Sequence, residues 1–128
     1  MNSLRFAVLR HTNHPESPDH YDIVLEESLG QDPEQVVLMK FETIAELNQS
    51  GLAIKYGGKV KRRYLQYEGP MNGNMGDVRR VDEGTYRINE SYVEFNGNIL
   101  NGIYLYQTEE KINLTDIERA SILRKESK

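Results

Sequence analysis

Apolar and polar residues alternate with a period of two along most of this chain, the repeat of a half-buried strand. The segment "HYDIVLEE" shows it best. Tyr21, Ile23 and Leu25 fall on one face, and His20, Asp22, Val24 and Glu26 on the other. "RFAVLRH" precedes it as a first strand, and "QVVLMKF" follows as a third, set off by the turn-forming "GQDPE". "YLQYEG" and "GDVRRVDEGTYRI" give further strands on either side of the Gly/Asn-rich loop "PMNGNMG". Asp82 and Glu83 before Gly84 read as a turn. "SYVEFNGNILNGIYLYQT" reads as a hairpin, with Asn96 and Gly97 as the two positive-φ residues of a type I′ turn.

Two segments break the alternation. "TIAELNQSG" predicts a short helix, with Thr43 as N-cap, Glu46 at the capping-box position and Gly51 as terminator. "LTDIERASILRK" predicts a second, with Thr115 and Glu118 as its capping box, acids first and bases last. Many short strands, two peripheral helices and no βαβ rhythm predict a mainly β fold: a small antiparallel β-barrel or rolled sheet. With 128 residues, no internal repeat and no linker, residues 1–128 read as a single domain.

Composition narrows the chemistry. The net charge is -4, so no global basic field draws the chain to nucleic acid or to a membrane, and polyanion binding needs a local patch. There is no cysteine, so any metal must be held by nitrogen and oxygen ligands. The start "MNSLRFAVLRH" lacks the form of a secretory leader and no apolar run spans a bilayer, which predicts a cytoplasmic protein with no membrane partner.

All three histidines lie within "RHTNHPESPDHYD", Arg10 to Asp22. His20 and Asp22, two apart in a strand, leave the same face with Cα atoms roughly 6.6 Å apart, a spacing that suits two ligands of one ion. His11 ends the preceding strand and comes alongside once the chain reverses. Two imidazoles and a carboxylate leave coordination positions open for water and substrate, as catalytic Mn, Fe and Zn sites do. His14, in the loop before Pro15, competes with His11 as ligand. The alternative is a solvated loop histidine beside a hydrogen-bonded surface pair.

"FAVLRH…HYDIVLE", followed in order by "YLQYEG", "GDVRRVDEGTY" and "LNGIYLY", resembles the 3′-phosphoesterase domain of bacterial DNA ligase D and its small free-standing relatives. The likeness runs from about Phe6 to Tyr106. It implies an antiparallel β-barrel that uses manganese (zinc is the other candidate) to trim 3′ ends of nucleic acid, removing a terminal ribonucleotide or a 3′-phosphate in DNA repair. It implies His11, His20 and Asp22 as metal ligands, and a separate ligase or polymerase as a possible partner. Two positions depart from the family. Val24 stands where the family has a phosphate-contacting arginine, and Val60 where it has a histidine four residues before the motif tyrosine, here Tyr64. An apolar side chain cannot neutralise a phosphoryl oxygen, so the metal ligands are kept while the phosphate clamp is lost.

Neighbouring cations are candidate replacements. In a strand running through "KVKRRY", Arg62 shares the face of Val60 and Tyr64, which makes it a candidate catalytic phosphate ligand. Lys61, Arg63, Arg79 and Arg80 are candidate substrate-binding residues. Glu26 and Glu68 are candidates to orient the histidines, Glu68 standing with Arg62 in the candidate catalytic set; the alternative for Glu68 is a partner to the basic strand. Two functions follow: a metal-dependent phosphoesterase acting on a nucleic-acid 3′ end or another phosphorylated substrate, or a catalytically degenerate barrel that binds nucleic acid or protein.

Overall fold

The computed structural model describes residues 4–89, 91–106 and 122–126. Nine strands follow one another: β1 (Leu4–Thr12), β2 (His20–Glu26), β3 (Val36–Thr43), β4 (Ala53–Lys61), β5 (Gly69–Pro70), β6 (Asp77–Ile88), β7 (Tyr92–Gly97), β8 (Asn101–Tyr106) and β9 (Ile122–Lys125). All pairings are antiparallel, in the order β1-β2-β3-β4-β9-β8-β7-β6-β5, and β1 also pairs with β6. That last pairing closes eight strands into a barrel, with the two-residue β5 added at the edge of β6. The mainly β reading is correct.

All eight barrel strands send side chains into one apolar cluster, among them Phe6, Ile23, Phe41, Ile54, Tyr86, Phe95, Tyr104 and Leu123. This is the barrel interior. A smaller cluster lies on the opposite face of β1 to β3, where Ala7, Val24 and Leu38 pack under Leu65, flanked by Val60 and Tyr64. Because side chains alternate, the second face of β2 carries His20, Asp22, Val24 and Glu26, as its sequence pattern predicts. Every one of them is buried.

Between Val8 and Leu9 of β1 the register with β6 shifts: Val8 faces Asp82 and Leu9 faces Arg80, leaving Val81 as an extra residue on β6. A bulge of this kind re-aims the side chains beyond it. Past Val81, Arg80 and Val78 lie opposite Leu9 and His11 on the second face.

Several expectations need correction. Over Thr43–Gly51 the chain forms turns in place of a helix. Thr43 Oγ1 accepts from the Ala45 N–H at 3.1 Å, a local turn in place of a helix cap. A helix there would bury Ile44 together with Leu47, but Ile44 is 72% exposed while Leu47 and Leu52 are drawn into the barrel interior. Packing overrides propensity. "YLQYEG" is no strand: Arg62–Leu65 is a 3-10 turn that seats Leu65 on the second face. Lys61 ends β4, so the "KVKRRY" strand stops before its arginines.

The β7–β8 hairpin exists, but it reverses two residues later than Asn96-Gly97, at Asn98 and Ile99. Asn96 pairs with Asn101, and the Gly97 N–H donates to the Leu100 carbonyl at 2.9 Å. The cause is Asp82, which belongs to β6 and not to a turn. Its buried carboxylate accepts the backbone N–H groups of Asn98, Ile99 and Leu100 at 3.0, 2.9 and 2.7 Å. Gly97 is needed for close packing, since a Cβ there would come within 2.6 Å of the Phe6 ring. Of the C-terminal helix, Thr115 and Glu118 lie outside the described residues, and Ile122–Lys125 is strand, paired with β4 and β8.

Candidate metal centre

His11 and His20 face each other across β1 and β2, and Asp22 is the next residue on the same face of β2. The three side chains converge. Their ligand atoms all lie within 4.8 Å of one another and all three residues are buried, the one such group among the described residues. His11 Nδ1 lies 3.2 Å from Asp22 Oδ2, and His20 Nε2 lies 3.1 Å from Asp22 Oδ1. Ligands sharing one centre at bonds of 2.0–2.2 Å sit roughly 2.8–3.6 Å apart, so each histidine–aspartate spacing fits a common ion, and the widest separation in the group, up to 4.8 Å, closes slightly around one.

The outer nitrogens decide how the group is read. His11 Nε2 lies 2.7 Å from the Met75 carbonyl, and His20 Nδ1 lies 3.0 Å from the Pro18 carbonyl. A carbonyl only accepts, so each of these nitrogens carries a hydrogen. In a neutral ring the other nitrogen is then a bare lone pair, and in both rings it faces the carboxylate of Asp22. Two acceptors in contact repel unless a proton or a metal cation stands between them, and His11 Nδ1 has hydrogen-bond geometry to Asp22 Oδ2. Asp22 Oδ1 is moreover buried without a hydrogen bond, because His20 Nε2 touches it without being aligned to donate. Imidazoles tied through their outer N–H to main-chain carbonyls, with the inner nitrogen turned to a carboxylate, are the arrangement of metal-ligating histidines.

His14 is not part of this group. Its ring packs edge-on at 5.5 Å from that of His11, and its Nδ1 accepts the Glu16 N–H at the surface. The orienting carbonyl of Met75, in the Gly/Asn-rich loop "PMNGNMG", went unmarked in the sequence. Gly76, at φ +89°, is what allows it: a Cβ there would lie 2.3 Å from the Thr12 carbonyl. Only glycine lets this loop rest against the end of β1 and deliver Met75 to His11.

Beside His11 and Asp22 opens a cavity of about 60 Å³, lined by Leu9, Val24, Lys40, Val60, Tyr64 and Met71 among others. Val24 and Val60, the two positions that depart from the family pattern, thus lie side by side against the group. Lys40 is the cation that sequence reasoning missed. It is half-buried, stands directly across from Val24 in the β2–β3 register, and its ammonium lies 3.2 Å from Glu42 Oε1. Strand pairing is the signal that would have found it, and pairing is not written in one strand alone.

The remaining candidates sit elsewhere. Arg62 lies on the second face, as Val60 does, but is directed to Glu26 and away from the histidines. It is buried and donates to Glu26 Oε2 at 3.0 Å, to the Asp32 and Ser28 carbonyls, and to Gln35 Oε1. Glu26 cannot orient a histidine, because Arg5 and Arg62 both hold it at the far end of β2. Burial alone pushes the Glu26 carboxyl up, but hydrogen bonds from the two arginines outweigh it and hold the group below the ordinary carboxylate range. Glu68 is exposed and accepts the Arg80 backbone N–H at 3.0 Å, far in role from the imidazoles. Lys61 and Arg63 both pair with Glu34. Arg80 ties the 3-10 turn to β6 through the Leu65 carbonyl at 3.1 Å, and Arg79 is exposed opposite Arg10. The five cations form no single patch around the group.

No protein-family model and no curated protein matches the sequence. No helix among the described residues is long and apolar enough to cross a membrane.

Proposed function

We propose that His11, His20 and Asp22 hold a divalent metal ion, manganese in the first instance, and that the protein is a metal-dependent phosphoesterase acting on a phosphorylated end of nucleic acid. The observation that carries this reading is the pair of imidazoles whose tied outer N–H groups leave their inner nitrogens facing one buried carboxylate. The motif order shared with the ligase D phosphoesterase domain supports it. A divalent ion, when bound, supplies Lewis-acid activation of water and of a phosphoryl oxygen. The chain's own residues divide the other work. Met75 and Pro18 carbonyls fix the ring tautomers, the apolar cavity wall excludes bulk water, and Lys40 brings the positive charge that Val24 and Val60 cannot. A phosphoryl group entering the cavity would take the Lys40 ammonium from Glu42.

The test is manganese-dependent release of phosphate from a 3′-phosphorylated primer, lost in His20→Ala and weakened in Lys40→Ala. Activity that is absent across several divalent metals, in a protein that still binds manganese, defeats the catalytic part alone. A specific observation favours that second outcome: the cavity wall at Val24 and Val60 is apolar where the family pattern places its clamp. The protein would then be a metal-holding barrel that binds its partner without reaction.

A further inference from the structure

At the opposite end of the second face lies a larger cavity, about 350 Å³, bounded by Arg5, Gly30, Gln31, Arg62, Arg63 and Gln66 together with Pro33 and Leu65. No acidic residue lines it, in a chain with 20 aspartates and glutamates. Three guanidinium groups, which only donate, and two primary amides, which donate and accept, make up its polar wall.

The charges behind that wall do not cancel. Of the three cations of the wall, Arg5 and Arg62 share Glu26, and Arg63 shares Glu34 with Lys61, which lies outside the lining. Nor are the donors spent. Arg5 uses Nε and one terminal nitrogen on Glu26 and the Gly30 carbonyl, which leaves its other terminal nitrogen without a partner among the described residues. Arg63 gives a single terminal nitrogen to Glu34, and 40% of its side chain is exposed. Arg62 is the fixed floor, its guanidinium locked on several sides and covered by Gly30, where a Cβ would come within 2.7 Å of it.

We infer that this cavity is a binding site for a phosphoanion of nucleotide size. Guanidinium forks match the oxygens of phosphate two at a time, and a rigid arginine loses little freedom on binding. The volume is that of an ordinary small-ligand pocket. The site stands apart from the metal group: Glu26 and Asp22 are four residues apart on β2, about 13 Å along the strand. It therefore holds whether or not the metal reading does.

The experiment is titration calorimetry of the whole chain in EDTA at low salt, with pyrophosphate, a nucleoside 5′-monophosphate and a short single-stranded oligonucleotide as separate probes. At least one probe binds. Arg63→Ala, at an exposed position that leaves the fold intact by circular dichroism, weakens binding fivefold or more, and Arg63→Lys recovers part of the loss. Binding of pyrophosphate or the mononucleotide marks a free phosphorylated compound as occupant, and binding of the oligonucleotide alone marks a strand backbone. No binding by any probe, or binding indifferent to Arg63→Ala, overturns the inference.

Discussion

Two buried carboxylates share one face of β2 and meet opposite fates. Glu26 is enclosed by two guanidinium groups that are charged at any accessible pH. Asp22 is enclosed by two imidazoles whose charge is optional and whose outer nitrogens are tied to carbonyls, and one of its oxygens has no hydrogen bond. The first is a finished piece of structure. The second has the donor set and the deficit of a site that takes a cation from solution. Burial of an acid says little by itself, and what tells the two apart is whether its compensation is permanent.

The contrast is broken most severely at Glu26. Glu26→Ala leaves Arg62 buried without its anion, and removing one partner of a buried pair costs roughly 3–5 kcal/mol. Asp22→Asn, measured in EDTA, costs much less, because no permanently charged partner is left unpaired and the amide can donate to an inner imidazole nitrogen. Urea unfolding of both variants checks this, and equal losses would erase the distinction. Next in size is the metal itself. Manganese at about a hundred times its dissociation constant stabilises the wild type by about 2.7 kcal/mol. The gain vanishes in His20→Ala and on chelation. A thermal midpoint that ignores every divalent ion removes Asp22 from the class of metal ligands.

Gly76→Ala sharpens the comparison from the second layer of contacts. It forces a side chain into left-handed backbone and against the Thr12 carbonyl, at about 1–3 kcal/mol. It also moves the Met75 carbonyl away from His11, so manganese affinity falls tenfold or more. The smallest effect is on pH. The Glu26 carboxyl titrates below its ordinary range in the folded state. Its contribution is therefore complete above the unfolded value and is lost as pH falls through the lowered folded one. Replacing Glu26 with Gln flattens the acid limb of the stability profile, while Lys40→Ala, away from this pair, leaves that limb unchanged.

How much of this could be read from the sequence varied with the range of the interactions. Strand alternation placed β1, β2, β3 and β6 and put His20, Asp22, Val24 and Glu26 on one face, because period-two burial is local. Between His11 and His14 the sequence left a competition, which the group settles by including strand-end His11 and not loop His14. Long-range demands stayed hidden. Leu47 leaves a good helical signal to fill the barrel interior, Asp82 leaves a turn signal to hold the Asn98–Leu100 backbone, and Lys40 meets Val24 only through pairing. Arg62 was placed on the right face for the wrong purpose: the face was set by local geometry, the partner by Glu26 from another strand.

The unpaired Val81 has a consequence for how this protein can change. Upstream of it, the tip of the loop at Gly73 and Asn74 tolerates altered length better than its end, where Met75 and Gly76 rest against β1. Removing Val81 would only let β1 and β6 pair without a bulge, whereas deleting a paired residue such as Arg79 moves Val78 off the face it shares with His11 and withdraws one wall from the histidines. The parity of a single strand thus guards the site more strictly than the identity of most residues around it.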